Sequence, residues 1–200
     1  MESLGDQSKS RLFKVEDRTI YVLPQSSALS AAPLIKPGDV IDKKYKILAL
    51  LGEGGMGAVY QAHHLMLDKD VALKTFRAGE LSTEACLRFQ REAQAIARLS
   101  HKNIIQVFDF GQWEEGLPYY TMEYLRGQSL AEKLECGGLD SSLVLRLFVQ
   151  ACEGLSVCHG KGIIHRDIKP SNIFIESSQA GTDLVKLVDF GIASLTGGFL

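Results

Sequence analysis

Apolar and polar positions along the chain change their rhythm twice. Residues 11–23 alternate loosely, with Phe13, Val15, Ile20 and Val22 as the apolar set, and predict short strands. Residues 24–37 are rich in Ser, Ala and Pro and predict a linker. From Tyr45 the pattern sharpens. Tyr45 to Leu51 and Ala58 to His63 predict two strands around the cluster Gly52-Glu53-Gly54-Gly55-Met56-Gly57. Asp68-Lys69-Asp70 predicts a turn, and Val71 to Phe76 a third strand. Ser82 or Thr83 can cap a helix reaching about Leu99, with Phe89, Ala93 and Ile96 on one face and Glu92 beside them. Ile104 to Phe110 and Leu117 to Glu123 predict two further strands.

After Gly127 the period becomes helical. Ser129 to Leu134 predicts a short helix. Ser141 to Gly160 predicts a long one, with Leu143, Leu147, Ala151, Leu155 and Cys158 at helical spacing. Ile163-Ile164, a polar loop, Ile173-Phe174 and the apolar strand Val185 to Val188 follow. Three strands, a helix, two strands and then mainly helix is an α+β order.

Composition narrows the class without naming it. The chain has 200 residues, 46% of them hydrophobic and 23% charged, with a net charge of −2. No basic surplus points to nucleic acid. The contiguous apolar runs, such as Ile47 to Leu51, are too short to span a bilayer. Met1 to Asp6 lacks the basic and apolar blocks of a signal peptide, so a cytoplasmic location is expected. Cys86, Cys136, Cys152 and Cys158 show no Cys-x-x-Cys spacing and are expected to be reduced thiols.

The glycine cluster has two readings. A dinucleotide turn needs a helix after the glycines, and Asp70 lies where a ribose-binding acid could sit. Here Val59-Tyr60 begins another strand instead, which makes the glycines a hairpin tip where bare amides can approach phosphates. Lys74 sits in the apolar strand Val71-Ala72-Leu73, where an ammonium needs a partner, and Glu92 is the candidate. His165-Arg166-Asp167-Ile168-Lys169-Pro170-Ser171-Asn172 gathers a carboxylate, an ammonium and an amide in one loop. A carboxylate can accept a hydroxyl proton, and an amide oxygen can ligate Mg²⁺. Asp189-Phe190-Gly191, after Leu187-Val188, offers a second hard ligand.

Taken in order, Gly52/Gly54/Gly57/Val59, Lys74, Glu92, His165-Arg166-Asp167, Asn172 and Asp189-Phe190-Gly191 resemble the protein kinases over about residues 45–200. The wording resembles the bacterial serine/threonine kinases of eukaryotic type, and Lys169 is the serine/threonine form. Small-molecule phosphotransferases of related fold usually lack the Arg166 and Lys169 pattern. The resemblance implies ATP and Mg²⁺ as cofactors and a protein Ser/Thr hydroxyl as substrate. Leu51, Gly52, Glu53, Gly54, Gly55, Met56, Gly57 and Val59 would cover the nucleotide. Lys74 would bind its phosphates, held by Glu92. Met122 would be the gatekeeper, Glu123 and Leu125 would bond adenine through their backbone, and Val59, Ala72 and Phe174 would sandwich it. Asp167 would be the catalytic base and Lys169 its helper. Asn172 and Asp189 would hold the metal. His165, Phe190, Ile96 and Val107 would stack as a spine, and Arg166 implies control by a phosphorylated activation segment.

The implied architecture is a protein-kinase-like fold. Residues 1–40 form an extension, and 41–200 the kinase domain. A complete small lobe at about 45–122, with a five-stranded antiparallel sheet and one helix, leads through a hinge at 123–127 to a partial, mainly helical large lobe at 128–200. No Ala-Pro-Glu-type motif appears before Leu200. A domain cut short after Asp189-Phe190-Gly191 is therefore expected, with apolar residues of the long helix left facing water. A partner covering that face, and with it a non-catalytic ATP- or partner-binding module, is the alternative to an enzyme. A decayed gene is a third reading.

Overall fold

The computed structural model describes residues 11–15, 18–22, 35–54, 57–76, 82–113, 116–177 and 183–191. Gly55 and Met56, among the expected nucleotide contacts, lie outside them. The chain divides into two compact units, Met1–Leu87 with Phe110–Tyr120, and Arg88–Asp109 with Thr121–Leu200.

The first unit begins with an antiparallel hairpin, β1 (Arg11–Val15) and β2 (Arg18–Val22), where the alternation of Phe13, Val15, Ile20 and Val22 predicts strands. The main sheet has the order β3-β4-β5-β6-β8-β7. Its members are β3 (Val40–Ile41), β4 (Tyr45–Gly54), β5 (Gly57–His64), β6 (Lys69–Thr75), β7 (Val107–Trp113) and β8 (Leu117–Glu123). The five expected strands are present. The sixth, β3, has two residues, too few for any periodic signal, and it pairs Val40 with Lys46 and Ile41 with Tyr45.

Burial follows the period of two that a pleat imposes. Tyr45 and Ile47 of β4, and Ala58, Tyr60 and Ala62 of β5, face a core that also takes Ile41, Val71 and Leu73. Tyr119 closes it. Its ring packs edge-on to Tyr45 at 5.8 Å, and its hydroxyl donates to Asp42 Oδ2 at 2.8 Å. A buried tyrosine is tolerated there because its polar end is satisfied.

Helix α1 (Thr83–Ala97) starts where Ser82 predicts, since Ser82 Oγ accepts from the amide of Ala85 at 3.0 Å. Phe89, Ala93 and Ile96 are buried together with Glu92. Strand β7 begins three residues later than the sequence suggests, for a tertiary reason. The amide of Ile105 donates to Leu187 O at 3.0 Å, and that of Leu187 to Asn103 O at 2.9 Å. The apolar stretch Ile104-Ile105 is thus committed to a strand of the second unit, Asp183–Leu187.

The second unit contains a three-stranded sheet, β9 (Gly127–Ser129), β10 (Ile173–Ser177) and β11 (Asp183–Leu187), in the order β11-β10-β9. Helix α2 (Leu130–Glu135) is capped by a reciprocal Ser129–Glu132 box, and α3 (Ser141–Gly160) by Asp140, which accepts from the amides of Ser142 and Leu143. Of the expected α3 stripe, Leu147, Ala151 and Cys158 are buried, and Gly154 with them. Gly154 lies so close to Asn103 and Leu187 that a Cβ there would meet Asn103 O and Leu187 Cδ1 at 3.0 Å. Gln150 reaches from α3 to the edge of β11, accepting from the Val185 amide and donating to Asp183 O, both at 3.1 Å. By length and composition α3 is apolar enough to cross a membrane. A count of contiguous apolar residues hides this, because Arg146 and Glu153 interrupt the run. One face of α3 is nonetheless packed as in a globular core, while Leu145, Phe148 and Val149 on the other are half or more exposed.

Candidate active site

Gly52 and Gly54 close β4 and Gly57 opens β5, and the two strands pair antiparallel, as a hairpin reading requires. Register decides what shares a face with it. Gly52 pairs with Val59, Val59 with Lys74, and Gln61 with Ala72. Paired residues of an antiparallel ladder point to the same side. Val59, Ala72 and Lys74 therefore share one face of the hairpin, opposite the buried Tyr60 and Leu73. The glycines differ in kind. Gly57 has φ +153°, and a Cβ there would fall 2.0 Å from Thr75 O, so folding itself demands glycine. A Cβ at Gly52 or Gly54 meets nothing within 4 Å. Packing makes no demand at those two, which leaves room for a phosphate chain to approach the backbone. Leu51 and Glu53 are exposed beside them. Lys74 is half-buried, with its ammonium 5.7 Å from the centre of the Tyr120 ring. Glu92 is buried on α1.

The second unit holds the polar loop. After Ile163 the chain runs irregularly to a single 3-10 turn, Pro170–Asn172, which feeds β10. Asn172 is 4% exposed, and its amide donates to Asp167 O at 2.8 Å, to Asp167 Oδ2 at 2.9 Å and, more weakly, to Asp189 O at 3.4 Å. Lys169 Nζ lies 2.8 Å from the same Oδ2. The lysine first, and then the Asn172 amide, hold the Asp167 carboxyl below the usual carboxylate range. With its nitrogen spent on Asp167, Asn172 has an oxygen for other use. Asn172 and Asp189 together offer hard oxygen donors. Among the described residues no group of three or more His, Cys, Asp and Glu is placed to hold a metal. A pair of oxygen donors suits Mg²⁺, which keeps waters and takes phosphate oxygens.

His165 supports this loop from below. It is 1% exposed, its Nε2 lies 3.0 Å from Val188 O, and its Nδ1 accepts from the Asp167 amide at 3.4 Å. A neutral ring with the proton on Nε2 satisfies both contacts. Burial pushes its pKa down, consistent with that form. Its ring lies against Phe190 with centroids 4.3 Å apart. Phe190, Ile96 and Val107, the other expected spine members, are all buried. Arg166 and Asp189 carry positive φ, +64° and +51°. Such backbone costs about 1–3 kcal/mol at a non-glycine residue. Here the hydrogen bonds to Asn172, His165 and Val188 hold the segments around it.

Met122, Glu123, Leu125 and Phe174 are all partly buried at the end of β8, the connection after it and β10. The amide of Glu123 donates to Gln106 O, and that of Gln106 to Glu123 Oε1, both at 2.9 Å. Lys186 Nζ grips both carboxylate oxygens of Glu123, at 2.7 and 2.9 Å. Lys186 and Gln106 are absent from the sequence-derived site. A lysine between Val185 and Leu187 in an apolar strand is the same signal that singled out Lys74.

Comparisons with known proteins give the family. The family model for the protein kinase domain matches residues 45–198. A serine/threonine-protein kinase of Myxococcus xanthus, pkn3, is 48% identical over 161 residues, which cover 80% of this chain and 29% of that protein. PknB of Mycobacterium leprae, also a serine/threonine-protein kinase, is 40% identical over 159 residues, covering 76% of this chain and 25% of that one. The crystal structure of the Mycobacterium tuberculosis PknI kinase domain matches with a TM-score of 0.67 at 31% identity, over 80% of this chain and 64% of that chain. This chain belongs to the protein kinase family. It spans between a quarter and a third of the length of those two curated relatives.

Proposed function

We propose that the protein is an ATP-dependent serine/threonine kinase that transfers the γ-phosphoryl of Mg-ATP to a hydroxyl of a protein substrate. The observation that carries the reading is the double grip of Lys169 and Asn172 on one oxygen, Oδ2, of Asp167. That grip fixes the carboxylate, leaving Oδ1 to orient the substrate hydroxyl and accept its proton as the bond to the γ-phosphorus forms and ADP leaves. Lys169 balances charge on the transferring group. On this reading Leu51 to Gly57 and Val59 cover the nucleotide, Lys74 with Glu92 binds its phosphates, Val59, Ala72 and Phe174 sandwich adenine, and Met122 is the gatekeeper. Glu123 offers its carbonyl and Leu125 its amide. Asn172 Oδ1 and Asp189 would hold Mg²⁺, which supplies charge neutralisation at the phosphates. Residues 41–200 form the kinase domain and 1–40 its extension, with a hinge at 123–127. The four free thiols fit a reducing, cytoplasmic setting.

The test is phosphoryl transfer from labelled ATP to a protein substrate, with Asp167→Asn as control. Transfer abolished by that substitution supports the reading. Full transfer by Asp167→Asn would overturn it.

A second reading, a binding module without catalysis, draws on one observation. Leu145, Phe148 and Cys152 of α3 are exposed on one side of the helix, beside His101 and Glu153. A partner covering that face is its requirement. Sedimentation of the protein alone and with cell extract separates the two. A folded, monodisperse chain that transfers phosphate by itself rules the module out.

A further inference from the structure

Three consecutive residues, the last two of β11 and the one after it, each tie a different segment of the second unit to that strand. Lys186 holds Glu123 through both carboxylate oxygens. Leu187 exchanges backbone hydrogen bonds with Asn103 and Ile105. The amide of Val188 donates to Asn172 O at 3.0 Å, and its carbonyl faces His165 Nε2 at the same distance. The next residue is Asp189. A circuit thus closes from Glu123 through Lys186 and Leu187 to Ile105 and Gln106, and back to Glu123 through the paired Gln106–Glu123 bonds.

The Lys186–Glu123 pair is partly buried, with side chains 10% and 23% exposed. Partial desolvation costs both ions, so a pair kept there has to be held by geometry and further hydrogen bonds. It is: Glu123 Oε1 takes a bond from the Gln106 amide, and the Glu123 amide is spent on Gln106 O. Side chain and amide of Glu123 are therefore both fixed, and with them the Cα from which its carbonyl projects. The group this leaves to an incoming adenine is the Glu123 carbonyl.

We infer that Lys186 is a positioning residue for nucleotide base recognition, holding the Glu123 carbonyl in the direction that adenine requires. The inference rests on the nucleotide reading above. It assigns to Lys186 an effect on the adenosine end of the ligand and none on the phosphate end, because its contacts run to Glu123 and not to the glycine hairpin. A lysine that served stability alone would affect both ends equally, through the folded fraction.

The experiment measures binding of adenosine and of inorganic tripolyphosphate to the full chain by calorimetry, at a temperature where each variant is folded. Lys186→Met is expected to weaken adenosine about tenfold, the worth of one well-aimed hydrogen bond, with tripolyphosphate unchanged. Lys186→Arg, which can still grip a carboxylate with two donors, should restore most of the adenosine affinity. Lys186→Met strands the Glu123 charge, and it can fail to fold. The double variant Lys186→Met/Glu123→Met removes both charges, keeps the Glu123 carbonyl and carries the same expectation. Adenosine affinity unchanged in the folded variants, or lost in step with tripolyphosphate, overturns the positioning role while leaving the nucleotide reading intact. A wild-type chain that binds neither ligand overturns the nucleotide reading itself, and the positioning role with it.

Discussion

The side-chain amide of Asn172 spans Asp167, donating to its main-chain carbonyl at 2.8 Å and to its carboxylate at 2.9 Å. One buried side chain therefore sets both the backbone and the functional group of the residue five positions before it. Replacing it tests that coupling. Asn172→Ala leaves the partly buried Asp167 carbonyl without its donor, and is expected to cost about 1–3 kcal/mol in denaturant unfolding. Phosphoryl transfer should fall by about 10²-fold or more, as a base displaced by an ångström does.

The Asp167 carboxyl owes its depressed pKa first to Lys169. Lys169→Met removes that ammonium, and the carboxyl should then titrate at higher pH than in the wild type. Carbon-13 NMR of the aspartate side chains reads this directly. An unchanged titration would mean that Asn172 alone sets the pKa.

His165 predicts a dependence of stability on pH. Its folded pKa lies below the ordinary value, so between the two the unfolded chain binds more protons, and stability rises with pH. The contribution is complete above about pH 6.5, the unfolded value, and is lost as pH falls toward the folded one. His63 acts in the opposite sense. Asp70 first, and then Asp68, raise its pKa, so its contribution is present at low pH and fades as pH rises through the folded value. Melting curves between pH 5 and 8 in a His63→Gln background should therefore show Tm falling on acidification. The slope should flatten when His165 is also replaced by Gln.

The glycines of the hairpin should separate by experiment. Gly57→Ala places a Cβ against Thr75 O at a backbone angle that L residues avoid, and is expected to lower stability by more than the roughly 1 kcal/mol of an ordinary glycine substitution. Gly52→Ala meets open space and should melt like the wild type while binding ATP less tightly. Thermal melts with and without Mg-ATP show both effects.

Helix α3 offers a contrast between neighbours. Leu147 is 1% exposed and Leu145 is 67% exposed. Leu147→Ala should cost about 2–5 kcal/mol, and Leu145→Ala should stay within about 0.5 kcal/mol. Urea titrations measure both.

Much of this was legible in the sequence because the signals are local. Strand β8 and helix α3 have the limits their periodicity predicts, since alternation and helical spacing are written in adjacent residues. The glycine hairpin, the loop from His165 to Asn172 and Asp189 are contiguous motifs whose chemistry their spacing declares. Tertiary structure alone decided the remainder. Strand β9 is three residues long and exists through pairing with β10, distant in sequence, and β3, with two residues, exists through pairing with the adjacent β4. Ile104 and Ile105 had the composition to start β7, yet their backbone hydrogen bonds went to Leu187. Lys186 met Glu123 only when folding brought it to a carboxylate 63 residues away, because a partly buried ammonium must be paired and no sequence rule states with what.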